Sequence, residues 1–239
     1  MQLAAVCDPF DPLESGPPEP EWRRLLCDSP VWMPGAGALL IVAPHPDDEV
    51  LGAGGLMHTW ASGRSEVRVL SVTDGEAAYP DWDGLGAVRR GELDEALGVL
   101  SPAPVSVTHL GLPDGRIKHY ASRLRRELVS LCDADTTLIA PYELDGHPDH
   151  EAVGRVCVEL AHAWGMPLAR YPIWSWHRRA PRALRDVRWG RFPLSQSARR
   201  AKALAVSCFR SQVNPRGRNP ILPRGVLRHF DRRFEAFIL

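Results

Sequence analysis

The 239-residue sequence has no long apolar run, and no stretch approaches the roughly 18 consecutive apolar residues of a membrane span. Its first residues, Met1 to Asp8, hold neither a basic segment nor an apolar segment of leader length. No signal peptide is therefore expected, and a cytoplasmic location is. Cysteine is sparse and odd in number: Cys7, Cys27, Cys132, Cys157 and Cys208, with no C-x-x-C pair. That argues against a disulfide framework and for free thiols in a reducing compartment. No segment repeats at a fixed period, which excludes a solenoid or propeller. The arginines are not interleaved with a nucleic-acid-binding motif, so no nucleic-acid partner is expected. A dinucleotide loop is also missing. Gly52-Ala53-Gly54-Gly55 has the wrong spacing, and the six residues Pro44–Glu49 intervene after the preceding apolar run. Close packing of a helix on a sheet accounts for these glycines.

What is present is an ordinary globular composition, 44% hydrophobic and 24% charged, with enough length for one sizeable core. The net charge of zero is unevenly placed. Residues 1–169 carry 12 Lys/Arg and 26 Asp/Glu, a net of −14, and residues 170–239 carry 17 and 3, a net of +14. A basic C-terminal part packed on an acidic body explains the cancellation; a basic rim for a phosphate-bearing substrate is the alternative.

Residues 1–37 are broken by Pro9, Pro12, Pro17, Pro18 and Pro20 and are expected to form an arm, with one or two helical turns around Glu21–Leu26. From residue 38 strand and helix patterns alternate. Strands are expected at 38–43, 66–72, 105–110 and 136–140, and helices at 49–62, 87–100, 120–131 and 149–164. Val88, Leu93, Leu97 and Leu100 mark the apolar side of the second helix, and Val153, Val156, Leu160 and Ala163 that of the fourth. Short links between repeated βα units predict an α/β fold: a Rossmann-like, mostly parallel sheet with helices on both faces. Beyond Gly165 the pattern changes to strands at 169–176 and 187–192, a helix at 194–206, a loop over 213–225 and a strand at 234–238. Residues 38–239 are read as one α/β domain, with 165–239 a small α+β extension that could form part of a substrate pocket.

Chemistry concentrates in two clusters. Pro44-His45-Pro46-Asp47-Asp48-Glu49 follows the first strand, and His147-Pro148-Asp149-His150 follows the fourth. Ligands in open α/β sheets bind at the carboxyl ends of strands. Three adjacent acids repel one another, and a divalent cation relieves that repulsion. His45, Asp48 and His150 supply two imidazoles and a carboxylate, a donor set able to hold Zn²⁺ or Fe²⁺ with open positions. Asp47, beside a ligand, could take a proton from water. His147 could stabilise an oxyanion as a protonated imidazole, with Asp149 orienting it and raising its pKa; as an alternative it is a fourth ligand. Glu49 could hydrogen-bond a ligand or face the dipole of the next helix.

The two His-Pro-Asp clusters together resemble the PIG-L/LmbE-like family of metal-dependent N-deacetylases over roughly residues 38–160. The resemblance implies a metal, Zn²⁺ ahead of Fe²⁺, held by His45, Asp48 and His150, with Asp47 as general base and His147 and Asp149 in the catalytic group. It implies an N-acyl amino-sugar small molecule as substrate, and a homo-oligomer is compatible with it. Arg89 resembles an arginine that contacts the sugar or its aglycone, and Asp114 resembles a sugar-hydroxyl acceptor. Lys202 through Ser211-Gln212 resembles the family's C-terminal Lys-helix-Ser-Gln pattern, though Phe209 and Arg210 stand where a tyrosine often precedes the Ser-Gln. Some relatives use a mobile tyrosine before the second cluster, and Tyr142 is the nearest tyrosine to that place. An amidase acting on another acyl amine, and a non-catalytic Rossmann-like binding protein, are the alternatives to an amino-sugar deacetylase.

Overall fold

A helix, α1 (Glu19–Leu26), precedes the first strand, β1 (Leu39–Ala43), in the computed structural model of the protein, which describes residues 16–239. The first 15 residues of the expected arm, with Cys7, lie outside the described residues. The chain continues through α2 (Asp48–Ser62), β2 (Val67–Ser71), α3 (Leu85–Leu100), β3 (Ser106–His109), α4 (Ala121–Leu131), β4 (Thr137–Pro141), α5 (Pro148–Trp164) and β5 (Leu168–Tyr171). These are the alternating units expected from the sequence, with small shifts at their ends. A short helix α6 (Ser175–Arg178), strand β6 (Trp189–Pro193), helices α7 (Gln196–Cys208), α8 (Arg210–Val213) and α9 (Arg224–Leu227), and strand β7 (Phe234–Ile238) follow.

All seven strands form one sheet in the order β3-β2-β1-β4-β5-β7-β6. The first five are parallel, and β7 runs antiparallel to both β5 and β6. Every residue of β1 is buried, because helices cover both faces of the sheet. Leu39 and Ile41 face the layer holding α2, α3 and α7, while Leu40 and Val42 face α4 and α5. A third apolar cluster joins Trp22 and Leu26 of α1 to Trp176, Trp189 and Ile238. The α1 segment packs on the body through these residues. No helix among the described residues is long and apolar enough to cross a membrane.

Three expectations change. Val88 is 40% exposed; α3 starts two residues earlier than expected and turns Leu85, Leu93, Ala96, Leu97 and Leu100 inward. Ala163 is exposed, and Ala161 takes the inward position near the end of α5. The strand expected over 169–176 stops at Tyr171. Pro172 has no N–H to give a neighbouring strand, and the amides of Ile173, Trp174 and Ser175 are taken by the Asp145 carboxylate. The glycines of α2 serve close packing: a Cβ on Gly52 would overlap the Tyr171 ring, and one on Gly55 would overlap Leu194.

Candidate active site

In chain order β1, β2 and β3 step toward one edge of the sheet, and the chain then returns to place β4 on the other side of β1. The crevice at that reversal is where an open α/β sheet binds ligands. Both His-Pro-Asp clusters lie there, one after β1 and the other after β4.

Asp48 is the hub. Its Oδ2 lies 3.3 Å from His45 Nδ1 and 3.2 Å from His150 Nε2. A tetrahedral ion with bonds of about 2.0–2.1 Å has ligand-to-ligand edges of about 3.3–3.4 Å, so these donors are spaced for one. His150 is fully buried, and its Nε2 makes no hydrogen bond despite facing Asp48. Its Nδ1 lies 2.9 Å from Asp145 Oδ2. An orphaned nitrogen facing a carboxylate, with the opposite nitrogen tied to a second one, fits a metal-binding imidazole. His45 also lies between carboxylates, with both nitrogens partnered: Nδ1 is hydrogen-bonded to Asp48 Oδ2, and Nε2 lies 3.1 Å from Asp114 Oδ1 and 3.4 Å from Asp149 Oδ2. His147 completes a trio of imidazoles whose ligand atoms all lie within 4.8 Å of one another.

Burial opposes charge throughout this group, and the neighbours decide each outcome. Burial disfavours the cationic form of His45, but Asp114, Asp149 and Asp48 outweigh it and raise its pKa well above the usual imidazole range. His150 behaves likewise: burial opposes protonation, but Asp48 and Asp145 push the pKa up to about 9. The carboxylates that attract protons to these rings attract a cation equally, so the two compete. Asp48 is held well below the usual carboxylate range, its burial outweighed by His150 and His45. Asp47 moves the other way, up to about 8, through burial and the charge of Asp48. Burial and Asp47 push Glu49 up to about 8.

Comparison with known proteins bears on this geometry. The family described as PIG-L, GlcNAc-PI de-N-acetylase, matches residues 40–161, just over half of the chain. The chain belongs to the PIG-L family. A diacetylchitobiose deacetylase of Thermococcus kodakarensis is 30% identical over 143 residues, covering 54% of this chain and 51% of that protein. A 1D-myo-inositol 2-acetamido-2-deoxy-α-D-glucopyranoside deacetylase of Rhodococcus jostii is 30% identical over 164 residues, covering 56% of each. The chain thus spans about half the length of these curated relatives. Among solved structures, the conserved protein TT1542 of Thermus thermophilus superposes with a TM-score of 0.63 at 27% identity, over 84% of this chain and 93% of that one.

Within this PIG-L chain the matched segment contains every expected site residue, and the structure brings them to one cavity of about 400 Å³. His45, Asp47, Asp48, Arg89, Asp114 and His147 line it, opposite apolar side chains including Trp174 and Leu222. His150 and Asp149 sit just behind, almost fully buried. Asp47 has φ 137°, a region costly for a residue with a Cβ, at about 1–3 kcal/mol. The surroundings hold it there. Glu49 Oε2 accepts its N–H at 3.2 Å, and Pro46 O accepts from Gln212 Nε2 at 2.7 Å and Arg89 Nη2 at 3.2 Å. Glu49 therefore supports the backbone of the first cluster. Arg89 donates to backbone and to Gln212 Oε1, and its Nη2 reaches within 3.7 Å of Asp47 Oδ2.

The expected pairing of Asp149 with His147 does not form. Asp149 lies in the first turn of α5, and its oxygens accept from Gly115 N at 2.7 Å and Ile117 N at 3.2 Å, across the crevice. His147 Nδ1 instead accepts from the Asp149 backbone N–H at 3.3 Å. Nor is the His147 pKa raised. Burial and the neighbouring His150 and His45 push it down to about 2, so the ring is neutral. Asp114 is engaged by His45 and by Ala77 N at 3.0 Å. Tyr142 is 6% exposed and belongs to the apolar cluster of Trp22 and Trp176, away from the cavity. The hydroxyl missing before Ser211-Gln212 is replaced by Phe209, fully buried in the main core. Sequence reasoning missed Asp145 and Trp174 as parts of the site, and had Gln212 only through the resemblance. The only local signal for Asp145 was its place two residues before His147.

Proposed function

We propose that this chain is a divalent-cation-dependent hydrolase that removes the N-acetyl group of an amino-sugar compound. The observation that carries the reading is Asp48 Oδ2, 3.3 Å from His45 Nδ1 and 3.2 Å from His150 Nε2, with the strained Asp47 beside it in the same cavity. The relatives, deacetylases of diacetylchitobiose and of an acetamido-deoxy-glucopyranoside, support the substrate class.

In this reading His45, Asp48 and His150 hold the cation. When bound, it supplies Lewis-acid chemistry at the acyl carbonyl and makes water more acidic. Nitrogen-rich donors of this kind suit Zn²⁺, with Fe²⁺ the second choice. Asp47 takes the proton of the attacking water and passes it to the departing amine. Neutral His147, its Nδ1 occupied as an acceptor, presents Nε2–H as a donor to the developing oxyanion. Asp149 and Asp114 hold His45 from behind. Arg89 fixes the backbone that aims Asp47, and it and Asp114 border the space for the sugar. Trp174 and Leu222 exclude water from one side. Four free thiols among the described residues suit a reducing compartment, and on that ground we place the chain in the cytoplasm, which cell fractionation checks.

The test is release of free amine from N-acetylglucosaminyl substrates. The wild-type chain is expected to release it, a chelator to stop it and Zn²⁺ to restore it. Asp47→Ala is expected to lower kcat by about 10²- to 10⁴-fold with cation content unchanged. An equally active Asp47→Ala variant would reject the assigned base, and no amine from any such substrate would reject the reading.

A further inference from the structure

Asp145 is fully buried and does not line the cavity, yet its carboxylate gathers three backbone amides of residues 173–175 and one ring nitrogen of α5. Oδ2 lies 2.9 Å from His150 Nδ1 and 3.0 Å from Trp174 N. Oδ1 lies 2.9 Å from Ser175 N, and Ile173 N is shared between the oxygens at 3.1 and 3.2 Å. The three backbone amides can only donate, which commits both oxygens as acceptors, so the His150 proton must sit on Nδ1. In the neutral ring, the form that can bind a cation, Nε2 is then the nitrogen with the lone pair, on the Asp48 side. The same carboxylate fixes the backbone that carries Ile173 and Trp174 into the cavity wall. The Trp174 ring lies 6.5 Å from that of His147, with 21° between their planes.

We propose that Asp145 is the positioning residue of this site. It selects the tautomer of His150 that can bind a cation, and it pins the Trp174 wall of the cavity to the same point. The inference rests on the cation site of the proposed function and goes beyond it by assigning a residue outside the cavity. Its physical basis is that an imidazole offers its lone pair at one nitrogen only when the other keeps its proton. Asp145→Asn keeps the volume but sets an NH₂ group among N–H donors. Facing His150 Nδ1, that NH₂ selects the opposite tautomer and places a proton on Nε2, where a ligand lone pair is needed.

Zn²⁺ affinity of the full chain, measured by competition with a chromophoric chelator, is expected to fall about 10- to 100-fold in Asp145→Asn. The visible spectrum of the Co²⁺-loaded variant is expected to differ from that of the wild type. Equal affinity with an unchanged spectrum overturns the proposal. A measurement on the wild type covers the case in which the variant does not fold. In the Zn²⁺-loaded protein labelled with ¹⁵N-histidine, the His150 proton is expected on Nδ1, and a proton on Nε2 overturns the proposal. Failure of the wild type to bind Zn²⁺ at all would sink the cation site first and this inference with it.

Discussion

Asp47 and His147 both line the cavity, and burial drives each toward its uncharged form. The consequences for catalysis are opposite. Asp47 works as a base only when deprotonated, so activity should rise with pH through its pKa. Burial and Asp48 push that value up to about 8, and the charge of a bound cation draws it back down, so the acid limb of kcat/KM should lie below pH 8. His147, pushed down to about 2 by burial and its imidazole neighbours, is already neutral across the working range and should contribute no limb. His147→Ala is therefore expected to lower kcat by about 10²- to 10³-fold while the pH profile keeps its shape. A limb that vanishes in that variant would show that His147 titrates. The sequence made the cluster legible because His-Pro-Asp recurs after two strands. It did not reveal the neutral ring, since spacing along the chain says nothing about two other imidazoles with ring centres about 5 Å away.

Helix α2 carries Asp48 at its first position and depends on partners from the far end of the chain. Lys202 Nζ donates to Leu51 O at 2.7 Å, and the Glu235 carboxylate accepts from Gly55 N at 2.7 Å and Leu56 N at 2.8 Å. Leu51 O and Gly55 N are the two groups an α-helix would pair with each other. Lys202 and Glu235 are 2.6 Å apart and almost fully buried, so a buried ion pair is inserted beside the helix ladder. Lys202→Met leaves Glu235 uncompensated and should cost about 3–5 kcal/mol, read as a lowered urea midpoint. A loss under 1 kcal/mol would mean that Glu235 is satisfied by the α2 amides alone. The helix and the packing role of its glycines were legible from pattern and composition. The partners were not, because Lys202 sits mid-helix and Glu235 in a terminal strand, with no local rule linking either to residue 51. Gln212 was legible only as part of a resemblance; its contact with Pro46 O gives that pattern a physical purpose.

Across the whole molecule the uneven charge resolves into contacts. Glu19 pairs with Arg232, Glu95 with Arg210, Asp81 with Arg218 and Glu143 with Arg170, each joining the acidic first part to the basic last part. Internal compensation was the simpler reading of the sequence, and these pairs give it a structural form. Glu19 is the most buried carboxylate of these pairs. Burial opposes its charge, but His229, Arg232 and Arg23 hold its pKa down at about 2. A depressed carboxylate stabilises the fold fully above its unfolded value, near 4.5, and loses that contribution as pH falls toward 2. Glu19→Gln should lower the thermal midpoint at pH 7 and flatten its decline between pH 4.5 and 2. A variant that keeps the wild-type slope would exclude Glu19 as the source.

The reach of Glu235 back to α2 also constrains how the protein is made. It lies 180 positions beyond Gly55. At roughly 5–20 residues per second, a ribosome needs about 10–40 s to deliver the acid after the helix has emerged. During that interval Gly55 N can pair with Leu51 O inside the helix, and the bonds of these groups to Glu235 and Lys202 form only once translation has reached β7.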